Sequence, residues 1–310
     1  MSRRLVSIVC PVFNEEATIP IFYERLQKVL AGHRARYAFE LIFTNNRSVD
    51  GTLDVLRKLR EHDTEIQVLT FSRNFGYQAS IMAGIRYARG HAIVVIDVDC
   101  EDPPEMITTF LEEWENGYDV VYGRRDKRQE SLLLQAARKG FYRLNRLVAD
   151  SEIILDMAEF FLISAEVRDA VLVNASTFPF VRSEVAFLGF EVKGIRYDRQ
   201  LRVAGRSHYN LISVTRFALA GILSSTTLPL RLCAYLFLPL MLANAGLLAL
   251  SILGGRPGAF QVLVALDFVY LAFFVGVLAI YQARIYKDVV KRPVYVVDWR
   301  RSLWDGPLPP

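Results

Sequence analysis

The chain has 310 residues, with 37 Lys and Arg against 33 Asp and Glu and a net charge of +4. This near balance excludes a strongly basic nucleic-acid binder. Three scattered cysteines, Cys10, Cys100 and Cys233, exclude a disulfide scaffold and show no metal-ligand spacing. Met1-Ser2-Arg3-Arg4 leads only into a short apolar segment and Pro11, so no signal peptide is expected. Residues 5–10 read as a first strand, Pro11-Val12-Phe13-Asn14-Glu15-Glu16 as a turn, and residues 18–30 as a helix by apolar periodicity. Residues 40–44 read as a second strand, after which Asn45-Asn46-Arg47-Ser48-Val49-Asp50-Gly51-Thr52 opens a helix to about Arg60. Residues 66–71 form the third strand, followed by Ser72-Arg73-Asn74-Phe75-Gly76 and a helix to Tyr87; residues 92–96 form the fourth.

Such alternation predicts an α/β fold with a mostly parallel sheet and helices on both faces, of the Rossmann-like kind. In open sheets of this type ligands sit at the carboxyl ends of the strands, so the four post-strand turns are candidates for one pocket. The fourth strand ends in Asp97 and Asp99, which side-chain alternation puts on one face. Two hard oxygen ligands converging there suit Mg²⁺ or Mn²⁺, which a protein typically holds by one or two carboxylates plus substrate phosphates. Alone, Asp-x-Asp reads equally as a solvated acidic turn ahead of the helix that Pro103 and Pro104 begin.

Residues 232–253 and 260–281 are almost uninterrupted Leu, Ala, Val, Phe and Ile, each about the ~20 residues that cross a bilayer as a helix. The link Gly254-Gly255-Arg256-Pro257-Gly258-Ala259 is a turn, so the two runs predict a transmembrane hairpin. Arg216, Arg231, Arg284, Lys287, Lys291 and Arg292 lie on one flank against Arg256 in the link. That asymmetry puts the N-terminal part and the tail on the cytoplasmic side of a multi-pass protein of the cell (inner) membrane. Residues 210–230 mix apolar residues with Ser and Thr and read as interfacial amphipathic helices, or as an ordinary core helix. The expected division is a catalytic unit over 1–209, interfacial helices over 210–230, two membrane helices over 231–283 and a cytoplasmic tail over 284–310 that packs or anchors at that surface. Asp267 lies inside the second run, where an ionisable group is a functional or oligomer-contact candidate.

Pro11-Val12-Phe13-Asn14-Glu15-Glu16, Ser48-x-Asp50-Gly51-Thr52, Arg73-Asn74-Phe75-Gly76 and Asp97-x-Asp99-x-x-Asp102-Pro103-Pro104-Glu105 together resemble the ordered signature of inverting GT-A-fold glycosyltransferases. Tyr122-Gly123-x-Arg125-x-x-Arg128, Asp156-x-x-Glu159-Phe160 and Tyr197-x-Arg199-x-x-Arg202-x-Ala204-Gly205-x-Ser207-x-Tyr209 narrow the resemblance. They are similar to the polyprenyl-phosphate glycosyltransferases, the group of dolichyl-phosphate mannose synthase and the bactoprenol glucosyltransferases. The resemblance implies transfer of a sugar from a nucleoside-diphosphate donor, a UDP-sugar by preference, to polyprenyl phosphate with inversion. It implies Mg²⁺ or Mn²⁺ at Asp97, Asp99 and Glu101, and catalytic roles for Asp99, Asp156, Glu159, Arg128 and Arg202. Donor and cofactor contacts are implied for Pro11, Phe13, Glu15, Asn46, Ser48, Asp97, Arg199, Ser207 and His208. A homo-oligomer associated through its membrane helices is implied as well. Arg125, Arg128, Arg199 and Arg202 offer forked donors suited to phosphate, and equally to salt bridges.

Several residues depart from the family pattern. Asn45 and Asn46 replace aspartates; the amide of Asn46 can still accept from a uracil N–H and donate to its carbonyl, or both residues can simply make the turn. Glu101 replaces a glutamine, Ala158 a glycine, Glu159 an aspartate and Phe161 an arginine, and His208 stands where relatives carry Lys or Arg. These departures keep a second reading open, a non-catalytic or retuned nucleotide-sugar-binding membrane partner. A polysaccharide synthase is disfavoured by the lack of a Gln-x-x-Arg-Trp motif.

Overall fold

The computed structural model describes residues 3–125, 157–173, 179–200 and 227–307. Four parallel strands come first: β1 (Arg4–Val12), β2 (Tyr37–Asn45), β3 (Ile66–Thr70) and β4 (Ala92–Val95). They alternate with α1 (Ile19–Ala31), α2 (Thr52–His62), α3 (Tyr77–Tyr87) and α4 (Met106–Glu115). All four strands and the first three helices fall where the alternation of apolar runs and turns puts them. The sheet continues through β5 (Val120–Arg125), β6 (Met157–Ser164) and β7 (Val192–Tyr197), in the order β3-β2-β1-β4-β6-β5-β7. Strand β6 runs antiparallel to both of its neighbours, which makes the sheet mixed.

Strand alternation sorts the core into two layers. Val6, Ile8 and Cys10 of β1 face Phe22, Leu26 and Leu30 of α1 and Phe110 of α4 in one layer. Val9 and Val95 face Ile81, Met82 and Ile85 of α3 in the other, together with Val167 of α5 (Ala165–Val173) and Val181 of α6 (Val181–Phe187). Contact between α3 and β1 is close enough to require a glycine, since a Cβ on Gly84 would lie 2.1 Å from Val9 Cγ1. One buried charge crosses this frame. Glu40 on β2 accepts from Ser7 Oγ at 2.5 Å, from the Arg89 backbone N–H at 2.7 Å and from its guanidinium.

Two long helices follow, α7 (Leu228–Ile252) and α8 (Pro257–Val290), with peak mean hydropathies of 1.9 and 2.5. Only 6% of the most apolar window of each is buried, so they are not core helices of the α/β unit. They lie against one another, and Asn244 Nδ2 of α7 donates to Asp267 Oδ1 of α8 at 2.6 Å. The polar group read from sequence therefore has a partner within the hairpin. Pro257 starts α8 inside the expected link, because its fixed φ suits the first helical turn. The helix also runs nine residues past Tyr281. The proposed interfacial stretch lies outside the described residues over 210–226, and its last residues already belong to α7.

The tail, expected to pack or anchor at the cytoplasmic surface, is packed against protein. It returns to the α/β unit and runs antiparallel along β3, pairing Phe71 with Val297 and Val68 with Leu303. Leu303 N–H donates to Val68 O and Val68 N–H to Leu303 O, both at 2.8 Å. Tyr295 stacks on Phe71 at 5.3 Å, and Trp304 meets Tyr87 edge-on at 5.2 Å. The physical reason is the open edge of β3, whose unpaired backbone groups and adjoining aromatic rings the tail covers.

Candidate functional site

The carboxyl ends of β1 to β4 bring their turns together, and each turn contains one residue with a left-handed backbone: Asn14 (φ 57°), Arg47 (φ 63°), Gly76 (φ 94°) and Cys100 (φ 58°). Three of these are not glycine, a costly conformation that clusters at ligand sites. Hydrogen bonds knit the turns in series. Asn14 N–H donates to Ser48 Oγ at 3.0 Å, Val49 N–H to Asn14 Oδ1 at 2.9 Å, and Glu15 N–H to Thr52 Oγ1 at 2.8 Å. Asn46 is buried, and its amide joins the second turn to the third: Nδ2 donates to Asn74 Oδ1 at 3.1 Å, and Oδ1 accepts from Phe75 N–H at 2.8 Å. Asn45 Oδ1 accepts from Ser48 N–H at 3.0 Å. Both asparagines thus build the turn, while one amide hydrogen and one lone pair of Asn46 remain for another partner.

The third turn reaches the fourth through Tyr77, whose hydroxyl donates to Asp97 Oδ1 at 2.7 Å. Burial pushes the Asp97 carboxyl well above the usual carboxylate range. The Asp99 charge adds to the effect, the Tyr77 hydrogen bond opposes it, and Asp102 and Glu159 raise it further. Among the described residues the charged groups that shift Asp97 are all acidic, and with Asp99 two residues on it fits a divalent cation. Among the described residues no three acidic, His or Cys side chains gather around one point. Glu101, expected as a third ligand, forms an ion pair with Arg199. Opposite charge explains the pairing, and it engages Arg199, expected on phosphate, at the acidic turn. Gln200 N–H donates to Glu101 O at 2.8 Å, and the Tyr197 hydroxyl donates to Asp102, a buried carboxylate. The end of β7 therefore closes over the turn after β4.

Val95 pairs with Phe161 in the β4–β6 register, which brings Glu159 opposite Asp97 as the register continues. Glu159 accepts from Gln78 Nε2 at 3.3 Å and lies 3.0 Å from Arg182 Nε on α6. Arg182 also donates to Met157 O at 2.7 Å. No motif spacing marks Arg182; the partner of Glu159 comes from tertiary packing alone. Phe161 is fully buried in the layer beneath α3.

Pro11 is buried at the end of β1, with Phe13 half-buried after it. The Glu15 carboxylate accepts from Thr18 Oγ1 at 2.6 Å, which ties it to the start of α1. Asp156, Arg128, Arg202, Ser207 and His208 lie outside the described residues, as does the side chain of Arg125.

Residues 7–178 match the sequence profile of glycosyl transferase family 2. An uncharacterized glycosyltransferase of Bacillus subtilis (strain 168) is 35% identical over 309 residues, 96% of this chain and 94% of the relative. The SfII prophage-derived bactoprenol glucosyl transferase of Shigella flexneri is 32% identical over 94% of this chain and 97% of its own length. A prophage bactoprenol glucosyl transferase homolog of Escherichia coli (strain K12) is 31% identical over 94% of this chain and 98% of its own length. These relatives agree with the resemblance carried by the motif order. With a mostly parallel sheet and its acidic turn after β4, the chain belongs to glycosyl transferase family 2.

Proposed function

We propose that this protein transfers a sugar from a nucleoside-diphosphate donor, a UDP-sugar by preference, to polyprenyl phosphate with inversion, from a membrane-anchored cytoplasmic domain. The observation that carries the reading is the acidic pair Asp97 and Asp99 in the last of four post-strand turns that hydrogen bonds join in series, with Asp97 held above its ordinary pKa by burial and by Asp99. Those two residues would hold Mg²⁺ or Mn²⁺, which supplies charge neutralisation to a departing diphosphate. Tyr77 fixes the orientation of Asp97. The turns around Phe13, Glu15, Asn46 and Ser48 would cradle the nucleoside. Glu159, facing Asp97 and steadied by Arg182, would line the acceptor side.

A lipid phosphate is already an anion near neutral pH, so the attacking oxygen needs positioning by cations more than removal of a proton. Arg128, Arg202 and His208 are the candidates. The apolar hairpin supports a lipid acceptor. It leaves the α/β unit and returns to it, since the tail lies on β3, so both ends of the hairpin belong on one side of a bilayer. The excess of Lys and Arg beside those ends supports the cytoplasmic side.

The test is purified protein in lipid nanodiscs with polyprenyl phosphate, Mn²⁺ or Mg²⁺ and a panel of labelled nucleotide sugars. Label entering the lipid fraction from one donor, and lost with Asp99→Asn, supports the proposal. Nucleotide binding with no glycolipid from any donor would favour a binding partner.

A further inference from the structure

We propose that residues 295–305 form a strap that holds the donor-side turn in its binding geometry, with Asp298 and Arg47 as positioning residues for the nucleotide. The inference rests on the donor site assigned above. The strap is fixed along β3 by Ser72 N–H to Val296 O at 2.9 Å, Asp298 N–H to Thr70 O at 2.7 Å and Thr70 N–H to Ser302 Oγ at 2.9 Å. The Tyr295–Phe71 stack anchors its first part, and Trp299 and Trp304 against Tyr87 anchor the rest. These contacts place the Asp298 carboxylate beside the turn after β2, although the two are far apart in sequence.

Arg47 Nη1 lies 3.4 Å from Asp298 Oδ2, across 251 residues of chain. Arg47 sits between Asn46 and Ser48 with φ at 63°, a conformation that favours glycine. Covering the edge of β3 needs only the backbone ladder and the aromatic contacts. The ion pair adds something different. It reaches past β3 to the one left-handed residue of the turn, whose neighbour Ser48 accepts from Asn14 N–H. Asn46, the residue before Arg47, carries the amide that would meet the base and binds Asn74 and Phe75, so the turn presenting that amide is held both by these contacts and by the ion pair. Only a few residues separate the end of α8 from Tyr295, so the same strap ties the donor turn directly to the membrane hairpin.

The experiment compares full-length wild type, Asp298→Asn, Asp298→Glu, Arg47→Gly and the double variant of Asp298→Asn with Arg47→Gly in nanodiscs. The readouts are donor KM and kcat, the unfolding midpoint, and the Kd of uridine diphosphate with Mn²⁺ by calorimetry. Asp298→Asn is expected to raise donor KM and nucleotide Kd about three- to tenfold, with a much smaller change in kcat and no loss of thermal stability. Asp298→Glu restores most of the affinity. Arg47→Gly relieves the backbone yet raises KM equally, and the double variant goes no further. Wild-type KM in both single variants, or a KM change that merely follows the unfolding midpoint, overturns the strap's positioning role. Wild-type protein that binds no nucleotide overturns the donor site itself, a result visible before any variant is compared.

Discussion

The hydroxyl of Tyr77, at the first residue of α3, donates to Oδ1 of Asp97 at the end of β4. The bond favours the ionised carboxylate against burial and the neighbouring acids, which push its pKa up. Tyr77→Phe removes that support, so the carboxylate holds its proton to higher pH. Metal affinity is expected to fall about three- to tenfold, a loss typical of one charge-assisted hydrogen bond. The acid limb of the pH–rate profile is expected to move upward; a superimposable acid limb in the variant would refute the coupling.

Asp97→Asn should separate stability from activity. A carboxyl whose folded pKa is raised costs nothing below its unfolded value near pH 4, and destabilises the fold progressively as pH rises through the folded value. The metal-free variant should therefore melt about 2–4 °C above wild type at pH 7, equivalent to roughly 1 kcal/mol. The gain should vanish below about pH 4, while transfer is lost. Melting curves in EDTA across pH decide this, and a gain that persists at acid pH would contradict it.

Removing Arg182 leaves Glu159 facing Asp97 without its nearby guanidinium. Arg182→Gln is expected to cost about 1–3 kcal/mol, the typical worth of an interaction with a charged group mostly out of solvent. Adding Glu159→Gln should recover most of that loss, since removing both charges of a buried pair costs less than removing one. Denaturant midpoints for the two single variants and the double variant measure the coupling; strict additivity would argue against a direct interaction.

Glu40 is 3% exposed and carries the Arg89 ion pair together with hydrogen bonds from Ser7 and the backbone. Glu40→Ala strands Ser7 Oγ and the Arg89 backbone N–H, while the Arg89 guanidinium is 41% exposed and can turn to water, so a loss of about 1–3 kcal/mol is expected. Nucleotide affinity at temperatures where the variant is folded should be unaffected, because Glu40 lies toward the opposite end of β2 from the turns. A loss well under 1 kcal/mol would show that solvent replaces the contacts.

The first half of the sheet was legible because each strand is a short apolar run closed by a turn-forming motif, and the turns hold the residues with chemistry. The acidic pair after β4 and the apolar hairpin were legible on the same grounds of local period and length. Strands β5, β6 and β7 were not read as strands, since their order in the sheet is set by an antiparallel insertion with no local signature. The contacts that give the site its character were also hidden. Tyr77 with Asp97, Arg182 with Glu159, Arg199 with Glu101 and Arg47 with Asp298 all join separate turns or elements, and only packing brings them together. The partner of the tail was hidden for a related reason. The tail's Lys, Arg and Trp residues suit a membrane surface, yet the unpaired edge of β3 and the rings of Phe71 and Tyr87 offer it a better-matched partner.

The measurement that bears most directly on the account is the metal dependence of sugar transfer into the lipid phase, followed in single-turnover experiments with wild type and with Asp97→Asn and Asp99→Asn. The account predicts a saturable rise with Mn²⁺ or Mg²⁺ in wild type and a loss of at least about a hundredfold in each variant. Transfer at the wild-type rate in either variant, or in wild type with all divalent metal chelated, would contradict it.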